Sequence, residues 1–191
     1  SVGLFNSFTY LALVHTQVIN ASLFNTAIPA IIILICFLLK IEKTNKFQIL
    51  GLVLSTLGIL SIITKLDIEI ISSLNFNKGD LIMIGGVITW GLYSSFLKKK
   101  NFFIPLLTLV HVLCTFGLIF ILPQFLYELY TGQVIKFDLN LFYILIFLAL
   151  FPSIGSYYCW AGAVSIIGAN RAGIFLSLIP LFSTILAISF Y

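Results

Sequence analysis

The sequence predicts an all-α integral membrane protein, and three observations carry that reading. The 191 residues are 61% hydrophobic and only 8% charged, whereas a soluble domain is about half apolar and about a quarter charged. Mean hydropathy is +1.18; so few charges cannot cover a water-facing surface, and lipid must cover much of it. The apolar residues also fall into about seven runs, most of them close to the roughly 20 residues a helix needs to cross the hydrocarbon core.

The runs follow one another with short polar breaks. The first ends near Val14, the second spans Ala21 to Leu39, and the third Phe47 to Thr64. The fourth covers Leu81 to Leu97, and the fifth Phe102 to Leu122, with Pro105 placed in its first turn as helices prefer. The sixth runs from Leu139 to about Val164, and the seventh begins near Ala172 and continues to Tyr191. Two longer connections, Lys65 to Asp80 and Pro123 to Asp138, hold Asn, Asp or Gly and are expected at the surface. The chain opens at Ser1 in a half-apolar segment and closes at Tyr191 inside an apolar run, so a piece of a longer protein is expected; no signal-peptide pattern is present.

The formal net charge of +4 does not form a nucleic-acid-binding stripe, because the basic residues sit in short loops between apolar runs. Loops alternate sides, which groups Lys40, Lys43, Lys46, Lys98, Lys99, Lys100 and Arg171 on one face and Lys65, Lys78 and Lys136 on the other. The richer face is expected to be cytoplasmic. Cys36, Cys114 and Cys159 each lie in an apolar run without disulfide or zinc spacing and are expected to be inert, buried thiols.

A repeat runs through the chain. Ala12, Ala21, Phe24, Ile28 and Pro29 have the same separations as Ala163, Ala172, Phe175, Ile179 and Pro180, each set describing a short loop feeding a span with an interior proline. The second span then equals the seventh, five helices on. An odd number of helices per repeat inverts the second copy, which is the logic of secondary transporters with substrate bound between the halves near the midplane.

Three segments resemble a known family. NASLFNTAIPAIIILICFLLKIEKTNKFQILGLVLSTLG, Asn20 to Gly58, resembles the end of an EamA repeat of the drug/metabolite transporter superfamily: a proline-bearing helix, a short loop with Glu42, then a helix with Gly51 and Gly58. GDLIMIGGVITWGLYSSFLKK, Gly79 to Lys99, is similar to the opening of the second repeat, and GANRAGIFLSLIPLFSTILA, Gly168 to Ala187, resembles its fourth helix. The resemblance implies a ten-helix fold of two inverted five-helix repeats with cytoplasmic termini, a central cavity, and transport of small metabolites, often amino acids or related compounds, commonly outward. It divides the chain into 1–64 as the last three helices of the first repeat, 65–78 as the inter-repeat loop and 79–191 as the first four helices of the second. A bacterial inner (plasma) membrane goes with it.

The candidate site residues follow from chemistry inside the spans. Trp90 and Tyr93 are three apart on the fourth span, and Tyr157 and Trp160 three apart on the sixth, so each pair shares a helix face. Such faces line a metabolite cavity, or pack helices, or form an interfacial aromatic belt. Asn25, Thr26 and Ser177 lie near the repeat prolines, where a freed carbonyl invites polar partners that serve a substrate or simply re-satisfy the helix. His111 is the one ionisable group well inside a span; it is a proton relay or substrate partner, or a neutral histidine bonded to a neighbour. His15, at a helix end, reads as interfacial. Gly51, Ser55 and Gly58, like Gly155, Cys159 and Gly162, form small-residue faces for close helix packing.

No HExxH, GxSxG, P-loop or GxGxxG pattern occurs, and all six acidic residues lie in or beside loops. No cofactor and no metal are expected, and the partners are the bilayer and a small-molecule substrate, with monomer and homodimer both open. The reading is a secondary carrier driven by a gradient or by exchange. Its rivals are an integral membrane enzyme acting on lipid-linked substrates, which needs a carboxylate or basic cluster at one interface, and a non-transporting membrane subunit, which needs no solvent-accessible cavity.

Overall fold

The computed structural model describes residues 2–16, 24–64, 77–99, 104–132 and 137–179, together with Phe182, Ile185 and Ser189. Among them the regular structure is helical: α1 Val2–His15, α2 Ile28–Leu38, α3 Lys46–Thr64, α4 Lys78–Lys99, α5 Leu106–Tyr130, α6 Leu139–Leu148, α7 Ser156–Ile167 and α8 Ala169–Phe175. A π-helical turn, Ala149–Gly155, joins α6 to α7, and a 3-10 turn, Leu176–Leu178, follows α8. Among the described residues three rods are long and apolar enough to cross a bilayer, Lys78–Lys99, Leu106–Tyr130 and Leu139–Ile167. Ala21 and Pro180 of the repeat, and Lys65, Lys100 and Lys136, lie outside the described residues.

Local chemistry sets the helix ends. Asn77 and Asp80 form a reciprocal capping box at the start of α4: the Asp80 N–H donates to Asn77 Oδ1 at 3.1 Å and the Asn77 N–H to Asp80 Oδ2 at 2.9 Å. Asp138 caps α6 by accepting the Leu141 N–H at 2.7 Å. After α2, Ile41 N–H reaches the Cys36 carbonyl at 2.8 Å and Lys40 N–H the Phe37 carbonyl at 3.1 Å. This is a Schellman turn, with Lys40 at the left-handed φ of 52° where glycine is usual.

The core lies between α2, α4, α7 and α8, where Ile28, Ile32, Cys36, Val87, Val164 and Ala172 are buried together. Glycines allow the close crossings: a Cβ on Gly91 of α4 would stand 2.7 Å from Ile31 Cγ2, and one on Gly173 of α8 3.2 Å from Ile32 Cδ1. The long rods α5 and α6 contribute little to this core, and Phe116, Leu118, Phe120, Phe142 and Phe147 are exposed along them. An apolar surface of that extent suits lipid or further helices rather than water.

Several expectations are corrected. The fifth span does not end at Leu122, because α5 runs through Pro123 to Tyr130. Pro123 withholds only the N–H that would reach Ile119, a loss a membrane helix tolerates. Pro105 caps α5 rather than entering its first turn. Pro29 lies in the first turn of α2, and residues 24–26 before it are also helical, with a single turn residue, Ala27, between the two stretches. The seventh span begins at Ala169 rather than Ala172. Gly51 and Gly58 make no close crossing, with nothing within 4 Å of a Cβ at either position. Of the thiols, Cys36 is buried but Cys159 is exposed.

Candidate functional site

α4 carries Trp90 and Tyr93 toward α7, and α7 carries Tyr157 and Trp160 toward α4. Trp90 is the hub: its ring centroid lies 5.6 Å from Tyr93, 5.8 Å from Tyr157, 5.7 Å from Trp160 and 4.9 Å from Phe5 of α1. Tyr93 and Tyr157 meet edge-on at 6.4 Å, and Val110 of α5 closes the cluster beside them. Three- and four-residue spacing puts each pair on one face, and tilted or edge-on ring geometry is the arrangement aromatic quadrupoles favour. Tyr93 and Tyr157 are each only 7% exposed, which removes the interfacial-belt reading for them.

The polar tips of these rings are unevenly served. The Trp160 indole N–H donates to Ser94 Oγ at 3.2 Å, and Asn6 Nδ2 donates to the Tyr157 hydroxyl at 3.5 Å. Beside them Cys36 Sγ donates to Ser95 Oγ at 3.4 Å. Trp90 Nε1 and the Tyr93 hydroxyl are buried without a protein partner among the described residues. Buried polar groups are nearly always hydrogen-bonded, so two orphaned donors in one ring cluster set it apart from the rest of the described core.

The remaining candidates are placed elsewhere. His111 sits on the exposed side of α5, although its neighbour Val110 packs into the cluster. Ser177 follows α8, and its hydroxyl accepts from Ser55 of α3 at 2.8 Å. Asn25 and Thr26 lie in the short helical stretch before α2, with Asn25 Oδ1 buried and without a protein partner among the described residues. His15 is exposed at the end of α1. Among the described residues no group of three or more His, Cys, Asp or Glu could hold a metal ion.

Several inter-helix contacts are not legible in the sequence. Phe5 and Asn6 of α1 complete the ring cluster; a lone asparagine in an apolar run was the available signal. At one end of the bundle, Glu42 accepts the Ala169 N–H at 3.0 Å and the Asn170 N–H at 3.0 Å, and Lys98 Nζ donates to the Ser165 carbonyl at 3.3 Å. These contacts gather Lys40, Lys43, Lys46, Lys98, Lys99 and Arg171 at that end. At the other end, Thr16 donates its hydroxyl to Asp80 and accepts from Asn77 Nδ2 at 3.3 Å.

Comparison with known proteins follows the same lines. The chain is 25% identical over 187 residues to the uncharacterized transporter YyaM of Bacillus subtilis, covering 96% of this chain and 60% of that protein. It is 29% identical over 187 residues to an uncharacterized transporter of Archaeoglobus fulgidus, covering 97% and 63%, and 25% identical over 174 residues to YetK of Bacillus subtilis, covering 91% and 52%. The chain thus spans between about half and two thirds of the length of these relatives. No solved structure matches it significantly. The profile of the EamA-like transporter family matches residues 77–191, from the capping box of α4 through the α7–α8 junction. That match takes in more than half of the chain and both aromatic pairs, and the chain belongs to the EamA-like transporter family.

Proposed function

We propose that this chain is part of a secondary transporter that moves small metabolites, amino acids or related compounds, across the membrane by alternating access, with export as its direction. The observation that carries the reading is the pair of buried, unpartnered donors, Trp90 Nε1 and the Tyr93 hydroxyl, inside a ring cluster built by α1, α4 and α7. Family membership and relatives named as transporters support it. Phe5, Asn6, Trp90, Tyr93, Ser94, Tyr157 and Trp160 offer π faces and N–H or O–H donors, with no formal charge at neutral pH. That lining suits a solute with an apolar or aromatic body and hydrogen-bond acceptors. The lysine-rich end is cytoplasmic in this reading, and the membrane is a bacterial inner (plasma) membrane.

The test is metabolite profiling of cells and medium after inducing the full-length protein, with its Trp90→Ala form as control. One compound class that shifts across the membrane only with the intact protein supports transport and names the class. A shift in lipid-linked species, with small solutes unchanged, overturns it in favour of membrane enzymology.

A further inference from the structure

The loop after α2 touches a helix more than 120 residues away, and it does so with both oxygens of one carboxylate. Glu42 Oε1 takes the Ala169 N–H and Oε2 the Asn170 N–H, each at 3.0 Å, across sequence separations of 127 and 128. These are first-turn amides of α8, without partners inside their own helix. The contact is built on both sides. The Schellman turn at Lys40 and Ile41 aims the loop, and Ile41 packs against the core cluster. On the far side Gly168, at φ 89°, leaves the space the carboxylate fills, for a Cβ there would lie 2.4 Å from Oε1. Thr44 Oγ1 adds a longer contact by accepting from Asn170 Nδ2 at 3.5 Å.

The segment this contact holds lies between two irregular turns. The stretch from Ser156 to Phe175 carries Tyr157 and Trp160 as well as the clasped amides. A π-helical turn, Ala149–Gly155, precedes it and a 3-10 turn, Leu176–Leu178, follows it. A 3-10 stretch within a helical run often marks a hinge, and π-bulges recur at functional sites. The two ends of the bundle also differ in how firmly they are joined. Asp80, bonded to Thr16 and Asn77, is 1% exposed, so parting it strands a buried charge. Glu42 is only partly buried, so water reaches its carboxylate, whereas Ala169 and Asn170 are 0% and 1% exposed and their amides are re-satisfied only if α8 moves with the release.

We propose that Glu42 is a releasable latch: bound to Ala169 and Asn170 it closes the aromatic cluster toward the lysine-rich end, and its release lets the Ser156–Phe175 segment swing and open the cluster to that side. The proposal rests on the alternating-access reading. The carboxylate, rather than size alone, does the holding, because charge-assisted bonds to amides are about twice as strong as neutral ones.

The experiment uses the full-length protein in oriented membrane vesicles. Cys36, Cys114 and Cys159 are replaced, and a single reporter thiol is introduced at Ser94, next to Trp160. A membrane-impermeant maleimide is added on the lysine-rich face. Glu42→Gln is expected to raise the labelling rate there by about three- to tenfold, the population change that follows from weakening charge-assisted bonds, and to leave or lower the rate from the opposite face. Glu42→Ala, which removes the carboxylate altogether, is expected to act in the same direction and serves if Glu42→Gln does not fold. Unchanged labelling in a folded variant, or an equal rise from both faces, overturns the latch. Transport by the parent alongside unchanged labelling removes the latch alone. One-sided labelling in the variants without solute movement by the parent removes the transport reading and leaves the latch standing.

Discussion

The Trp160 indole N–H donates to the Ser94 hydroxyl at 3.2 Å, tying α7 to α4 beside the ring cluster. Ser94 is fully buried, so no water replaces it without rearrangement. Ser94→Ala therefore strands an indole N–H, which costs about 1–3 kcal/mol and is expected to lower the thermal midpoint of the detergent-solubilised protein. Adding Trp160→Phe removes the stranded donor and is expected to recover part of the loss, so the two substitutions are non-additive. Additive losses remove the bond from the account of α4–α7 packing.

Tyr93 separates a substrate site from plain helix packing. Its hydroxyl is buried without a protein partner among the described residues, so Tyr93→Phe deletes no protein hydrogen bond and is expected to leave stability within about 0.5 kcal/mol or raise it. If a transported solute supplies the acceptor, the same change weakens its binding about tenfold, the effect of losing roughly 1.4 kcal/mol. The KM for transport should rise while the thermal midpoint holds. A stable variant with unchanged KM returns Tyr93 to the packing of α4.

The sequence showed what depends on local spacing and hid what depends on long-range contact. Trp90 with Tyr93, and Tyr157 with Trp160, could be read as two faces because three residues of helix fix direction. That the two faces meet at 5.7–5.8 Å around Trp90 needed the fold. The outward aim of His111 was hidden because α5 is apolar all round and offers no stripe to orient it. Glu42 was visible as a loop acid, but its partners lie 127 and 128 residues away. Asp80 stands beside a loop in the sequence, and Asn77 three positions before it has the spacing of a capping box. Pro123 was read as a boundary by the rule that holds in water; inside an apolar rod the neighbouring turns carry the helix on.

Gly91 sets the distance between α4 and α2. A methyl group there would meet Ile31 Cγ2 at 2.7 Å and Ile35 Cδ1 at 3.1 Å. Ile31 is β-branched and stiff at χ1, so the backbones must part. Gly91→Ala is expected to destabilise by about 1–3 kcal/mol, read as a lower thermal midpoint, and Ile31→Ala in the same chain should relieve the clash. Equal midpoints for Gly91→Ala and the parent would mean that this crossing is loose.

Lys40 holds a φ of 52° at the end of α2, the position of a Schellman turn where glycine is usual. A residue with a Cβ loses about 1–2 kcal/mol in the left-handed region relative to its own right-handed form, and glycine largely avoids that penalty while adding disorder to the unfolded chain. Lys40→Gly is therefore expected to change stability by about +0.5 to +1 kcal/mol, a higher thermal midpoint rather than a lower one. Lys40→Ala keeps the Cβ and should show no such gain. The pair isolates backbone strain from the loss of a charge at the lysine-rich end, since both variants remove the charge and only one removes the Cβ. Equal midpoints in the two variants would assign any effect to the charge.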